Sequence, residues 1–327
     1  MPESPPMNSG SPSDPRMLAR LRHLELRSRA IADSLLPGRH PHPRPGWSVE
    51  FSQHREYSPG DDLRHVDWKA TARADRLLIR RFQDETSLAV RLIVDASPSM
   101  SVGDRTETAG SETGPTKFRA AAEIAAALAW IVVRGRDAVG LELIGGEERV
   151  EIEPSDEPSQ WRRFAERLAQ VEPRSLERPA SSTATASDTS VSSESLWYRG
   201  LRRAAERIAP GSVVIAISDW VDDPEPLAGW LRLLGERRRC DLRAVQILTR
   251  DELELPDLVD ALFTNVEGGN AVRIDAASLR RAYAERVRSE LERLERTFGA
   301  HGATYRRGTV DEDPVPLIRE LLLPGSR

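Results

Sequence analysis

The stretch VRLIVDASPSM, residues 90–100, runs a short apolar strand into Asp95 and then places serines at alternate positions. Its apolar, β-branched first half is typical of a buried strand, and Ser-Pro marks the turn that ends it. In an open α/β sheet, ligands bind outside the carboxyl ends of the strands. Asp95, Ser97 and Ser99 therefore offer one carboxylate and two hydroxyls at such an end. These hard oxygen donors suit Mg²⁺ or Mn²⁺.

From residue 88 onward, apolar strand-length runs alternate with helix-length segments such as EPLAGWLRLLGERRR, residues 225–239. This alternation predicts an α/β fold: a mainly parallel sheet with helices on both faces, which is a three-layer α/β/α, Rossmann-type domain. A second strand, SVVIAISDW (212–220), ends in Ser218 and Asp219. Because parallel strands end at one edge of the sheet, we expect Asp219 to lie near Asp95.

Composition divides the 327 residues into five segments. The small unit lies between a Pro-rich connector and the first long apolar strand, and the insert is a Ser/Thr/Ala-rich stretch that lacks apolar periodicity. The segments are a disordered tail (1–15), a helix and Pro-rich connector (16–43), a small β-rich N-terminal unit (44–86), the α/β domain (87–275) with a disordered insert at about 172–195, and a C-terminal helical extension (276–327).

Charge and hydropathy exclude several classes of protein. Lys and Arg number 47 against 52 Asp and Glu, a net charge of −5, so no global basic field exists for nucleic acid. The apolar runs are shorter than the ~20 residues that span a bilayer, and the N-terminus lacks the pattern of a signal peptide. One cysteine, Cys240, excludes an internal disulfide. We expect a cytoplasmic protein with no membrane insertion.

The Asp-x-Ser-x-Ser pattern at a strand end, followed by an aspartate at a later strand end, resembles the metal-ion-dependent adhesion site of von Willebrand factor A domains. The order of strands and helices from 88 to 250 fits that fold. In the family a threonine supplies a third hydroxyl. Ser195 occupies that place here, with Thr189 as a substitute candidate. The resemblance implies Mg²⁺ or Mn²⁺ as the cofactor, with these ligands: Asp95, Ser97, Ser99, Ser195 and Asp219.

The preceding stretch EFSQHREYSPGDDLRHVDWKATAR, residues 50–73, resembles the signature of the bacterial family catalogued as domain of unknown function 58. In that family the signature directly precedes a von Willebrand A-like domain, and members commonly accompany MoxR-type AAA+ ATPases. The polar and aromatic residues of the signature form either a structural network or a surface that recognises a partner. They are Arg55, Tyr57, Asp61, Asp62, Arg64, Asp67, Trp68 and Arg73.

The resemblance implies a non-enzymatic, metal-dependent protein-binding module, an adaptor or co-chaperone that links a MoxR-type ATPase to a protein client. The sequence lacks a G-x-x-x-x-G-K-[ST] loop and a G-x-S-x-G elbow, which argues against an ATPase and a serine hydrolase. The alternative function is a Mg²⁺-dependent hydrolase that uses Asp95 and Asp219, although no general base is evident beside them. Two further alternatives are a purely structural strand end and a degenerate site that has lost its ion.

Overall fold

The computed structural model describes residues 15–35, 53–57, 66–74, 76–81, 89–103, 115–146, 149–173, 196–221, 225–255, 261–263, 272–274 and 276–323. The chain divides into two compact units, one of residues 38–87 and one formed by residues 1–37 together with 88–327. In chain order the elements are α1 (Pro15–Leu35), β1 (Gln53–Glu56), α2 (Trp68–Ala74), β2 (Leu78–Arg81), β3 (Ala89–Asp95), a 3-10 helix (Pro98–Ser101), α3 (Lys117–Arg134), β4 (Ala138–Ile144), β5 (Val150–Ser155), α4 (Gln160–Gln170), α5 (Leu196–Arg207), β6 (Val213–Ser218), α6 (Glu225–Arg232), a π-helix (Leu233–Arg237), β7 (Asp241–Leu248), α7 (Arg250–Leu253), β8 (Ala261–Phe263), β9 (Val272–Ile274), α8 (Ala276–Ala300), β10 (Thr304–Thr309) and α9 (Pro314–Leu322).

The larger unit contains a six-stranded sheet with the strand order β10-β7-β6-β3-β4-β5. Its neighbouring strands are parallel except β4 and β5, which pair antiparallel. Alternate residues of a strand point to opposite faces, so Leu92 belongs to one apolar core and Ile93 to the other. The first core includes residues of α1, α3, α4 and α9, and the second includes residues of α5, α6 and α8. The predicted three-layer α/β/α fold is confirmed.

The register of the central strands sets the position of the candidate site. Val94 in β3 pairs with Ile217 in β6, so the residues that follow them, Asp95 and Ser218, lie side by side. Parallel pairing keeps both carboxyl ends at the same edge of the sheet. The two polar strand ends that the sequence singled out are therefore adjacent.

The smaller unit contains β1 and β2, which pair antiparallel, with α2 between them in the chain. The Asp67 amide donates to the Leu78 carbonyl at 2.8 Å, and the Leu78 amide donates to Thr71 Oγ1 at 3.0 Å. These bonds tie the start of α2 to the start of β2. The described part of this unit is thus a two-stranded antiparallel sheet with a short helix between its strands in the chain.

Two elements differ from the expectation. The segment 225–239, expected as one helix, is an α-helix up to Arg232 that continues as the π-helix Leu233–Arg237. The C-terminal helical extension contains a short strand that ATYRRG (303–308) predicts, followed by a terminal helix that VPLIRELLL (315–323) predicts. The difference is that this strand, β10, pairs with β7 as an edge strand of the main sheet. Of the helices in the described residues, none combines the length and apolarity needed to cross a membrane.

Candidate metal centre

Asp95, the last residue of β3, is 2% exposed and is held on both carboxylate oxygens. Its Oδ1 accepts a hydrogen bond from the Ser97 amide at 2.8 Å, and its Oδ2 accepts one from the Ser218 hydroxyl at 2.6 Å. Because a carboxylate oxygen has two lone pairs, each can still accept a further partner. No cationic side chain of the described ranges forms an ion pair with Asp95.

The two serines after Asp95 are brought together by the 3-10 helix that Pro98 begins. The hydroxyls of Ser97 and Ser99 lie 3.0 Å apart, and the amide of the fully buried Met100 donates to the Ser97 carbonyl at 3.0 Å. Proline fixes the first helical φ angle, and the buried methionine anchors the turn. The pattern of alternate serines therefore places two hydroxyls next to each other in the loop that follows Asp95.

The end of β6 is bent sharply, and this bend positions Asp219. Trp220 has φ of 51°, a left-handed conformation that is rare outside glycine. Its indole Nε1 donates to the Val245 carbonyl at 3.0 Å, while Gln246 Nε2 donates to the Asp219 carbonyl at 2.7 Å. The buried Asp219 side chain thus sits at the same edge of the sheet as Asp95, as the sequence predicted.

Lys117 and Glu252 complete this cluster, and sequence reasoning missed both. The Lys117 ammonium, 1% exposed, donates to Asp219 Oδ2 at 2.7 Å and also contacts Glu252 Oε1. Burial by itself would lower the pKa of Lys117, but the charges of Asp219 and Glu252 outweigh it and raise this pKa. The available signal was composition, because Lys117 is one of only two lysines in the chain, the other being Lys69.

Burial and the nearby Asp219 charge raise the pKa of Asp95 to about 7, although hydrogen bonds from Ser218 and Ser97 oppose this rise. When all three are ionised, Asp95, Asp219 and Glu252 carry three negative charges, and Lys117 supplies one positive charge. The cluster as described then has a net charge of −2. One divalent cation would balance it.

The donors of this cluster fit a hard divalent cation. Carboxylate and hydroxyl oxygens are the ligands that Mg²⁺ and Mn²⁺ prefer. Within the described ranges, no group of three or more His, Cys, Asp or Glu side chains is arranged to hold a metal ion. A metal here would therefore depend on the hydroxyls of Ser97 and Ser99 as well as on carboxylates.

The structure describes the side chains of only some of the residues that the sequence predicted for function. In the smaller unit, Trp68 is largely exposed and Asp67 is buried, while Tyr57 is partly exposed and Arg73 is exposed. A recognition role remains a prediction for the exposed members, because no observation tests it. Outside the described residues or side chains lie Ser195, Thr189, Arg55, Asp61, Asp62 and Arg64.

Two mycobacterial relatives match almost the whole chain. An uncharacterized protein of Mycobacterium tuberculosis is 28% identical over 312 residues, which is 94% of this chain and 90% of the relative. An uncharacterized protein of Mycobacterium bovis matches with the same identity and coverage.

Two solved structures give weaker matches. The conserved hypothetical protein BatB from Bacteroides thetaiotaomicron is 13% identical, with a TM-score of 0.42, and the match covers 72% of this chain and 97% of BatB. The SpRpn10 VWA domain is 11% identical, with a TM-score of 0.35, and the match covers 70% of this chain and 92% of that domain. Likenesses at this level say nothing about the site.

The family model described as "Protein of unknown function DUF58" matches residues 53–293. That span covers most of the chain and includes both strand ends of the candidate site, together with Lys117 and Glu252. The chain belongs to the DUF58 family.

Proposed function

We propose that this protein is a non-catalytic module that binds a partner protein through a divalent cation, Mg²⁺ or Mn²⁺, at the carboxyl edge of its sheet. The observation that supports this most is the meeting of Asp95, Ser97, Ser99 and Asp219 at one edge of the sheet. Together with Lys117 and the partly exposed Glu252, this cluster has a net charge of −2 when its three carboxylates are ionised. A cluster of this kind favours binding of a cation because isolated buried charge is costly.

Asp95 and the two serines would hold the cation, with Ser195 as a proposed further hydroxyl. A divalent cation bound there would supply positive charge at the rim of the sheet, where a carboxylate of a partner can complete its coordination. Asp95 would contribute in its ionised form, which its buried hydrogen bonds to Ser97 and Ser218 orient.

Exposed apolar side chains lie within two residues in sequence of two of the proposed ligands. Val221, two residues after Asp219, is 67% exposed, and Leu196, directly after Ser195, is 53% exposed. Leu196 begins α5 and Val221 follows β6. A partner that binds at this edge of the sheet would cover both apolar side chains. The expected partner therefore offers an acidic side chain with apolar neighbours.

The partner class rests on family resemblance: a MoxR-type AAA+ ATPase, for which this protein would act as an adaptor or co-chaperone toward a protein client. The hydrolase alternative gains no support from the described residues. Glu252, the additional carboxylate of the cluster, is bound to Lys117 and accepts from the Thr249 amide at 2.8 Å. It is thus poorly placed to act as a free general base.

The test is the affinity of the full chain for a MoxR-type ATPase from the same organism, measured by interferometry at constant Mg²⁺. A chelator is unsuitable because the ATPase itself needs Mg²⁺ for nucleotide binding. The comparison therefore uses Asp95→Asn, which removes a proposed ligand charge, and Asp156→Asn, which removes a charge from an exposed loop. We expect Asp95→Asn to weaken binding by at least about tenfold, while Asp156→Asn leaves it unchanged.

A second pair of variants tests the apolar part of the surface. Val221→Ser should also weaken binding, whereas Leu26→Ser, at an exposed position on α1, should not. Equal affinity of the wild type and Asp95→Asn would overturn the proposed function.

A further inference from the structure

Lys117 is a fully buried cation placed directly beside the proposed metal ligands. Its ammonium has three N–H donors, and the described contacts go to two carboxylates, Asp219 and Glu252. A buried lysine keeps its charge only where such partners compensate for its lost hydration. Lys117 therefore places a permanent positive charge inside the candidate site.

The start of α3 fixes this ammonium relative to the loop that carries the serines. Thr116 caps the helix by accepting from the Arg119 amide at 3.2 Å, and the Lys117 amide donates to the Val102 carbonyl at 2.9 Å. Val102 directly follows the 3-10 helix that contains Ser99. The position of Lys117 is therefore set by the same turn that positions the serine hydroxyls.

Lys117 binds one carboxylate oxygen of Asp219, and the other oxygen accepts only one long hydrogen bond. Oδ2 accepts from the ammonium at 2.7 Å, whereas Oδ1 accepts from the Val221 amide at the long distance of 3.4 Å. Asp219 can therefore approach a bound ion with Oδ1 or through a water, while half of its charge is directed at Lys117. That division lowers the negative potential a metal would meet.

We propose that Lys117 is a built-in competitor cation that weakens divalent metal binding at this site, so that the metal binds reversibly and keeps positive charge for the partner. This inference rests on the proposed function, since it concerns the same ion. The ammonium reduces the net charge of the cluster from −3 to −2 and repels a second cation at close range. Glu252 has the opposite effect on metal binding. Its negative carboxylate pairs with Lys117 and offsets part of the positive charge that opposes a bound cation.

The test is calorimetric titration of Mn²⁺ into the folded full chain at pH 8, well above the ordinary pKa of a carboxyl group. Lys117→Met should bind Mn²⁺ at least about tenfold more tightly than wild type because one nearby positive charge is lost. Arg119→Met removes the same charge from the same helix at an exposed position and should change the affinity by less than about twofold.

Glu252→Gln provides a measurement that does not depend on the folding of Lys117→Met. The glutamine oxygen can still accept the hydrogen bond from the Thr249 amide, so the local fold should be kept. Mn²⁺ affinity should fall because a negative charge is lost. Unchanged or weaker binding by folded Lys117→Met, or unchanged binding by Glu252→Gln, would overturn the inference while leaving the proposed function intact. Absence of Mn²⁺ binding by the wild type would instead overturn the proposed function, and with it the inference that rests on it.

Discussion

Gly145, directly after β4, lies against the candidate ligands Asp95 and Ser97. It has φ of 89°, and a Cβ at this position would lie 2.8 Å from Asp95 Oδ1 and 2.9 Å from the Ser97 amide nitrogen. Glycine is required there for two separate reasons, because the backbone is left-handed and no space exists for a side chain. The residue thus permits the close approach of β4 to the loop after β3.

Gly145→Ala should therefore destabilise the protein and displace Asp95. Gly211→Ala is the matched control, since Gly211 has φ of 78° but open space around its Cβ. The control should cost about 1 kcal/mol through backbone strain, and Gly145→Ala at least about 1 kcal/mol more. Urea unfolding measures both. Equal losses of stability would show that the contact with Asp95 is not restrictive.

The raised pKa of Asp95 predicts a dependence of stability on pH. In the metal-free fold Asp95 binds its proton more tightly than in the unfolded chain, because its pKa rises from the usual 3.8 to about 7. The stabilising contribution of the proton is complete below about pH 4 and is lost as the pH rises through about 7. With a chelator present, the Tm of wild type should fall between pH 5 and 8 relative to that of Asp95→Asn. Parallel Tm curves for the two proteins would contradict this assignment.

At the scale of elements, β10 and α9 show what periodicity can and cannot supply. The sequence predicts β10 as a short strand and α9 as an amphipathic helix, because the apolar residues of each recur at the spacing typical of that element. It does not predict that β10 pairs with β7, since parallel pairing joins segments far apart in the chain and depends on the assembled sheet. The π-helix Leu233–Arg237 was missed for a similar reason, because its pattern still reads as an ordinary helix.

The packing of α9 onto the main sheet can be tested with two adjacent leucines. Leu321 is fully buried in the first core, whereas Leu322 is 38% exposed. Leu321→Ala should lower the free energy of unfolding by about 2–5 kcal/mol, because it removes buried methyl groups and leaves a cavity. Leu322→Ala should cost less than about 1 kcal/mol. A small effect at Leu321, measured by chemical denaturation, would show that α9 is not part of the cooperative core.

At the scale of the whole molecule, the sequence predicted which strand ends lie at the edge of the candidate site, but not all of the charged groups there. Asp95 and Asp219 are recognisable because each ends an apolar strand. Lys117 and Glu252 are not, because they come together only through the fold: Lys117 lies 102 residues from Asp219 and 135 residues from Glu252. Contacts at such separations leave no local pattern, so the compensation of buried charge emerges only from the three-dimensional arrangement.

The central claim is that this edge of the sheet binds one divalent cation through Asp95. Calorimetric titration of Mn²⁺ into the full chain at pH 8 tests it most directly, with Asp95→Asn and the exposed-loop variant Asp156→Asn measured alongside. We expect one Mn²⁺ per chain for wild type and Asp156→Asn, and no measurable binding for Asp95→Asn. Binding that is absent from wild type, or equally strong in Asp95→Asn, would contradict the claim and leave the strand end with a purely structural role.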